Sequence, residues 1–141
     1  MGDMPELMAG LFFTTELRPY RYGLVVSIGQ TDAELKADLR KADRHFKCKR
    51  TAEIMAEAVL SKTWPGWVLN FEADSFMRMR ELPSTIEQRG VMVHELLHVV
   101  RACMKSRNMR MSGRTGQEAY CYLLEELYIE FCHRITQHTK R

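Results

Sequence analysis

Hydrophobic and polar positions in the first third of the chain predict a strand followed by a helix. The segment from Tyr20 to Gly29 is rich in aromatic and β-branched residues and ends at a glycine, which is typical of a strand. Thr31 and Glu34 have the spacing of a capping box, which marks the start of a helix. Apolar residues then recur at helical spacing, so we expect a helix to about Lys47: Leu35, Leu39, Ala42 and Phe46.

The middle of the chain predicts a short helix and a β-hairpin. Apolar residues between positions 51 and 61 suit a helix, although the length of this segment also suits a strand, and we favour the helix. Trp64-Pro65-Gly66 is a turn signal, and the segments 67–71 and 76–80 then predict two short strands. The second strand alternates, which predicts one solvent-exposed and one buried face: Phe76, Arg78 and Arg80 against Met77 and Met79.

Two long helices are predicted in the second half of the chain. Ser84 and Glu87 form a further capping box, and the helix that they open should continue to about Arg107. A glycine-containing connection over residues 108–116 precedes a final helix at 117–137, which we expect to pack antiparallel to the previous one. The chain from 1 to 141 is therefore predicted to form one α+β domain, with a strand–helix unit, a small hairpin or sheet and two antiparallel helices.

Composition agrees with a single globular domain. The 141 residues are 45% hydrophobic and 28% charged, and no stretch approaches the ~18 apolar residues of a membrane-spanning helix. The start of the chain lacks the basic region of a secretion signal. Four cysteines occur without a CxxC pair, so we expect reduced thiols and a soluble, cytoplasmic protein without a membrane partner: Cys48, Cys103, Cys121 and Cys132.

Positive charge is concentrated in two segments, although the net charge is only +3. Residues 36–50 contain seven Lys or Arg, and residues 99–117 contain five with no acidic residue. Such clusters suit a polyanion or an acidic substrate, but a solvated helix face and a solvated loop also explain them, and we favour this simpler interpretation.

The motif that carries chemistry is His94-Glu95-Leu96-Leu97-His98, an HExxH sequence inside a predicted helix. Residues four apart lie on one helix face about 6 Å apart along the axis, so both imidazoles can bind one metal ion. Glu95 lies about 100° around the helix, a position that suits a proton acceptor instead of a ligand.

The helical wheel places the two histidines on a polar face. His94 and His98 share it with Glu87, Arg101 and Lys105. We expect the opposite, apolar side to pack on the core: Val93, Leu96, Leu97, Val100 and Met104. The histidines should therefore face a polar cleft.

A hydrolytic zinc site generally needs a third protein ligand. An antiparallel final helix would bring its early residues back towards the motif, which favours Glu118. His133 lies about 22 Å further along that helix and would serve only if the helix ran otherwise. The downstream residues that carry a suitable donor are Glu118, Glu125, Glu126, Glu130, His133 and His138.

These residues resemble the zincin metallopeptidases, and within them the gluzincins, in which a Glu on the next helix completes HExxH. The segments VMVHELLHVV and GQEAYCYLLEELYIEF are similar to small zincins encoded by tailed bacteriophages, and the similarity covers residues 83–131. The resemblance implies a zincin-like fold, one zinc ion held by His94, His98 and Glu118, and Glu95 as general base. The thermolysin-type pattern has Asp four residues after the ligand Glu, where this chain has Tyr122, so Tyr122 or Glu125 would have to orient a ligand histidine.

The implied function is a zinc metallopeptidase, a hydrolase acting on a protein or peptide substrate. The strand at 67–71 would offer an edge to an extended peptide. Two alternatives remain: a non-catalytic, zinc-stabilised module for phage assembly or host interaction, and a DNA-associated protease that uses the basic clusters. Donors that would stabilise the oxyanion are not ranked by the sequence: Tyr120, Tyr122, Arg101 and His133.

Overall fold

A computed structural model describes residues 10–46 and 50–140 of the chain. Four strands and four helices follow one another within these residues. They are β1 (Leu11–Leu17), β2 (Tyr22–Ile28), α1 (Asp32–Phe46), α2 (Thr51–Leu60), β3 (Gly66–Asn70), β4 (Asp74–Met79), α3 (Ile86–Ser106) and α4 (Gly113–Thr139). Cys48 lies outside the described residues.

The strands form one mixed sheet in the order β1-β2-β4-β3. β1 pairs antiparallel with β2, β2 pairs parallel with β4, and β3 pairs antiparallel with β4. The predicted strand at 20–29 and the predicted hairpin are therefore confirmed. β1 is a strand that the sequence analysis did not assign, although its Leu-Phe-Phe-Thr-Thr sequence has the β-branched and aromatic content of one.

Helices cover both faces of the sheet. Leu24 and Met77 face α3 and α4 in the larger core, whereas Val25 and Phe76 face α1 and α2 in the smaller one. Neighbouring residues of a strand point to opposite faces, so the two central strands contribute to both cores. The predicted α+β class is confirmed.

The helix starts agree with the predicted capping signals, with one shift. In the capping box of α1, the backbone N–H of Glu34 donates to the Thr31 hydroxyl and the N–H of Thr31 donates to the Glu34 carboxylate. The first residue outside α3 is Thr85, whose capping box is closed by Gln88. The prediction of Ser84 with Glu87 is thus wrong by one residue, because Gln side chains close a capping box as well as Glu.

The prediction that one face of the second hairpin strand is exposed to solvent is also wrong. Arg78 is only 1% exposed, because β4 is an inner strand and the start of α1 covers that face. Its guanidinium lies 2.7 Å from a carboxylate oxygen of Asp32 and donates to the carbonyl of Gln30. An alternating pattern predicts exposure only where no second layer of helices is present.

The two long helices are joined by a six-residue connection, 107–112, which is shorter than predicted because α4 begins one turn early. The Tyr120 hydroxyl, near the start of α4, donates to the carbonyl of Met109, just beyond α3. Arg89, near the start of α3, lies close enough to lower the pKa of Tyr128, although the hydrogen bond with Cys132 raises that pKa overall. The helices thus run antiparallel. No described helix is both long and apolar enough to cross a membrane.

Candidate metal centre

The middle of α3 presents the HExxH motif at the boundary between core and solvent. Leu96, Val99 and Val100 are fully buried against the sheet and α4. The motif histidines lie on the opposite, exposed side of the helix, as the wheel predicts. Its assignment of Val93 and Leu97 to the buried side is wrong, since both are more than one-third exposed.

The two motif histidines point towards one another. The Nε2 atoms of His94 and His98 are 3.2 Å apart, and the ring planes meet at 79°. Two nitrogens bound to one tetrahedral zinc at about 2.0–2.1 Å lie roughly 3.3 Å apart. The pair therefore fits zinc in both donor type and spacing.

Glu95 is buried next to this exposed pair. Its side chain is 9% exposed, against 68% for His94, and one carboxylate oxygen lies 4.0 Å from Nε2 of His94. Burial raises the pKa of Glu95 above its usual range, and the nearby His94 and His98 oppose the rise. A carboxylate with a raised pKa accepts a proton more readily than an exposed one, as a general base requires.

Gly66 allows the first residue of β3 to lie directly against Glu95. A Cβ atom at position 66 would be 3.1 Å from Cγ of Glu95 and 3.2 Å from the carbonyl oxygen of Arg78. Only glycine provides this space without displacement of a neighbour. The turn signal that contains Gly66 therefore also shapes the site.

A cleft of about 650 Å³ opens between β3 and α3, and we name it the histidine cleft. Gly66 and Asn70 line it from β3, and His94, Glu95 and His98 line it from α3. β3 is an edge strand, so its outer side lies along this cleft. The strand proposed for peptide binding is therefore at the edge of the sheet and not in its middle.

One acidic residue of the cleft was missed by the sequence analysis. Glu57 reaches the histidine cleft from α2 and accepts a hydrogen bond from the Ser61 hydroxyl at 2.8 Å. No local sequence signal connects it to the motif, because α2 is placed there only by packing on the sheet.

Glu118 lies on the exposed face of α4. The buried face of that helix contains Tyr120, Leu123 and Leu127. Glu118 is 200° from Tyr120 around the helix and shares the exposed side with Tyr122, which is 62% exposed. Glu118, Tyr122 and Glu125 are not among the residues that line the cleft with the histidine pair.

The four residues considered as oxyanion donors lie in different places in the structure. Arg101 and Tyr120 line a second cavity that also contains His98. His133 lines a separate depression on α4, and Tyr122 faces solvent. Arg101 and Tyr120 are thus the two candidates that share a cavity with a motif histidine.

The donors that the structure brings together are two imidazoles with an adjacent carboxylate. Within residues 10–46 and 50–140, no group of three or more His, Cys, Asp or Glu residues has the geometry to hold a metal ion. The zinc ion and its third ligand, Glu118, stay predictions from the sequence. A scan of protein-family models and searches of curated proteins and of solved structures found no match to this chain.

Proposed function

We propose that this protein is a zinc-dependent metallopeptidase that hydrolyses peptide bonds in the histidine cleft. The observation that carries the proposal is the Nε2 pair of His94 and His98, 3.2 Å apart at the mouth of a cleft. The buried carboxylate of Glu95 beside the pair adds a proton acceptor. We place the enzyme in the cytoplasm, where its cysteines remain reduced.

In the proposed hydrolysis, the zinc ion and the protein chain have separate roles. Zinc, when bound, lowers the pKa of water and polarises a carbonyl group. Glu95 accepts a proton from the attacking water and transfers it to the nitrogen of the leaving amine.

Substrate binding in the proposal uses the free side of β3. The backbone groups of Val68 and its neighbours on the outer side of this edge strand pair with no other described strand. An extended peptide added there gains main-chain hydrogen bonds and lies beside the histidine pair. The substrate class is therefore an unfolded or flexible protein segment.

The third zinc ligand is the part of the proposal with two candidates. Glu118 is implied by the resemblance to gluzincins, and Glu57 is the acidic residue of α2 that lines the histidine cleft. Zinc titrations of Glu118→Gln and Glu57→Gln distinguish them, because loss of a ligand lowers zinc affinity at least about tenfold. The variant that loses affinity identifies the ligand.

The central test combines metal analysis with peptide cleavage. We expect the wild-type chain to bind one zinc ion and to cleave unstructured peptides. Glu95→Gln should retain zinc and lose at least about 10²-fold in kcat. His94→Ala should lose zinc as well as cleavage, and Glu87→Gln, an exposed carboxylate in the first turn of α3, serves as the matched control.

Two results would contradict the proposal. Cleavage that persists in Glu95→Gln rejects Glu95 as the general base. Zinc held by four protein ligands, without cleavage of any peptide, assigns the chain to the second class, a zinc-stabilised module for phage assembly or host interaction.

A further inference from the structure

A second cavity of about 930 Å³ continues from the histidine cleft towards the end of α3. It shares His98 and Asn70 with the cleft, so the two cavities adjoin at these residues. We name this second cavity the basic pocket. The residues on which the following steps depend are Leu97, Arg101, Lys105, Met109 and Arg110.

The described charged residues of the basic pocket are all cations. Arg101, Lys105 and Arg110 line it, and among the residues that the structure describes no Asp or Glu does. All three cations are exposed, and none of their side chains forms an ion pair or hydrogen bond with the described part of the chain. They are available to a ligand.

Arg107, another cation of residues 99–117, is by contrast already bound by the protein itself. Its guanidinium donates to the backbone carbonyls of Tyr20 and Arg21, at 2.8 and 3.3 Å. It therefore secures the end of α3 to the turn between β1 and β2, whereas Arg101, Lys105 and Arg110 line the cavity.

The spacing along α3 relates the basic pocket to the bond that would be cleaved. Arg101 and Lys105 follow His98 by three and seven residues, which corresponds to about 4.5 and 10 Å along the helix axis. An extended peptide advances roughly 3.3 Å per residue. Gly66 of β3 lies next to Glu95, and Asn70 lines the same cavities as His98, so a peptide paired with β3 runs alongside α3. Groups one to three residues from a bond held at His98 therefore lie opposite the two cations.

We propose that the basic pocket binds a carboxylate of the peptide substrate, one to three residues from the cleaved bond. The carboxylate comes from an Asp or Glu side chain or from a free peptide C-terminus. The inference rests on the proposed peptidase function and adds its substrate class. Leu97 and Met109 provide apolar contacts for the stem of such a side chain, while the cations bind its charged end.

Nucleic acid is the less suitable ligand for this pocket. A concave cavity of this volume has the size of sites for small ligands and side chains. A polyanion needs cations spread along an extended surface, and Arg107, in the middle of this segment, is occupied by backbone carbonyls.

The experiment measures both cleavage and binding of fluorescent peptides. One series places Glu, Gln or Lys at each of three positions on either side of the bond, with an amidated C-terminus. A second series ends in a free or an amidated carboxylate. We expect wild type to favour Glu over Gln about tenfold at one of these positions, or the free over the amidated terminus by a similar factor.

The diagnostic variant is the double charge reversal Lys105→Glu with Arg110→Glu. It should lose the preference for Glu over Gln and gain one for Lys over Gln, so the readout is the ratio of cleavage between peptides and not the rate on any one of them. Arg89→Glu, an exposed Arg of the same helix near Tyr128, is the matched control and should keep the wild-type preference.

Binding to Glu95→Gln separates failure of the pocket from failure of the proposed function, because binding requires no turnover. Peptides that bind with the carboxylate preference but are never cleaved support the pocket and contradict the peptidase. Peptides that are cleaved without any charge preference contradict the pocket and support the peptidase. A short DNA duplex that binds more tightly than the Glu peptide, with the double reversal abolishing this binding, would assign the pocket to nucleic acid and overturn the inference.

Discussion

At the scale of single residues, burial changes the chemistry of neighbouring positions on α3. Glu95 is covered by β3, whereas His94, the preceding residue, is exposed. Two turns further on, Cys103 is completely buried in the larger core. Burial raises the pKa of the Cys103 thiol to about 11, although the charge of Arg107 opposes the rise. These residues differ in solvent exposure because they lie at different positions around the helix, and not because of their residue type.

Cys103 should therefore react far more slowly with alkylating reagents than the exposed Cys121. With a pKa of about 11, only roughly one Cys103 thiol in 10³ is ionised at pH 8, and access is also blocked. Iodoacetamide labelling followed by peptide mass spectrometry should show Cys121 alkylated at least about 100-fold faster in the folded chain. Denatured protein is the control, in which both sites should label alike. Equal rates in the folded chain would contradict the burial of Cys103.

At the scale of elements, α3 combines a well-capped start with one weak interior position. Its capping box satisfies two backbone donors at Thr85 and Gln88. Gly90 lies in the second turn, where a Cβ atom would meet nothing within 4 Å. Gly66 of β3 differs, since its Cβ would press on Glu95 and on the backbone of β4. Gly66 and Gly90 both line the histidine cleft but thus have different roles.

Gly90→Ala should stabilise the protein, and Gly66→Ala should destabilise it. Alanine at an open helical position adds about 0.5–1 kcal/mol to the free energy of unfolding because it restricts the unfolded chain. At position 66 the new Cβ would force Glu95 to move by a few tenths of an ångström. Urea denaturation of both variants provides the measurement. The same direction of change in both would contradict the packing described for Gly66.

At the scale of the whole molecule, the buried Arg78 connects the sheet to the start of α1. It lies on an inner strand, and its guanidinium contacts Asp32 at the start of α1 and the carbonyl of Gln30. Its Nε and Nη1 atoms have no hydrogen-bond partner within residues 10–46 and 50–140. Asp32 is half exposed, so water reduces the strength of this ion pair. The contact nevertheless provides the nearest opposite charge for a buried cation.

Asp32→Ala should lower the free energy of unfolding by about 1–3 kcal/mol, because it leaves a buried guanidinium with fewer partners. Glu53→Ala is the matched control, since Glu53 is an acidic residue in the first turn of α2. The control should cost only the interaction with the helix dipole, about 0.3–1 kcal/mol. Chemical denaturation measures both variants. An equal loss in the two would show that Asp32 acts through the helix end alone.

Features that depend on neighbouring residues could be predicted from the sequence, whereas features that depend on distant segments could not. Thr31 and Glu34 define the start of α1 through bonds three residues apart, so the sequence suffices there. The prediction that Arg78 is exposed to solvent was wrong, because residues far away in the chain cover that side of β4. Glu57 carried no signal at all, since only the packing of α2 on the sheet brings it to the histidine cleft.

The amino-acid order alone determined the helices, the hairpin and the pairing of His94 with His98. These features depend on periodicity and on hydrogen bonds between residues a few positions apart. Tertiary structure decided the burial of Glu95, the edge position of β3 and the solvent exposure of Glu118. Each of these depends on contacts between segments that are distant in the chain, and local spacing contains no information about which faces such contacts cover.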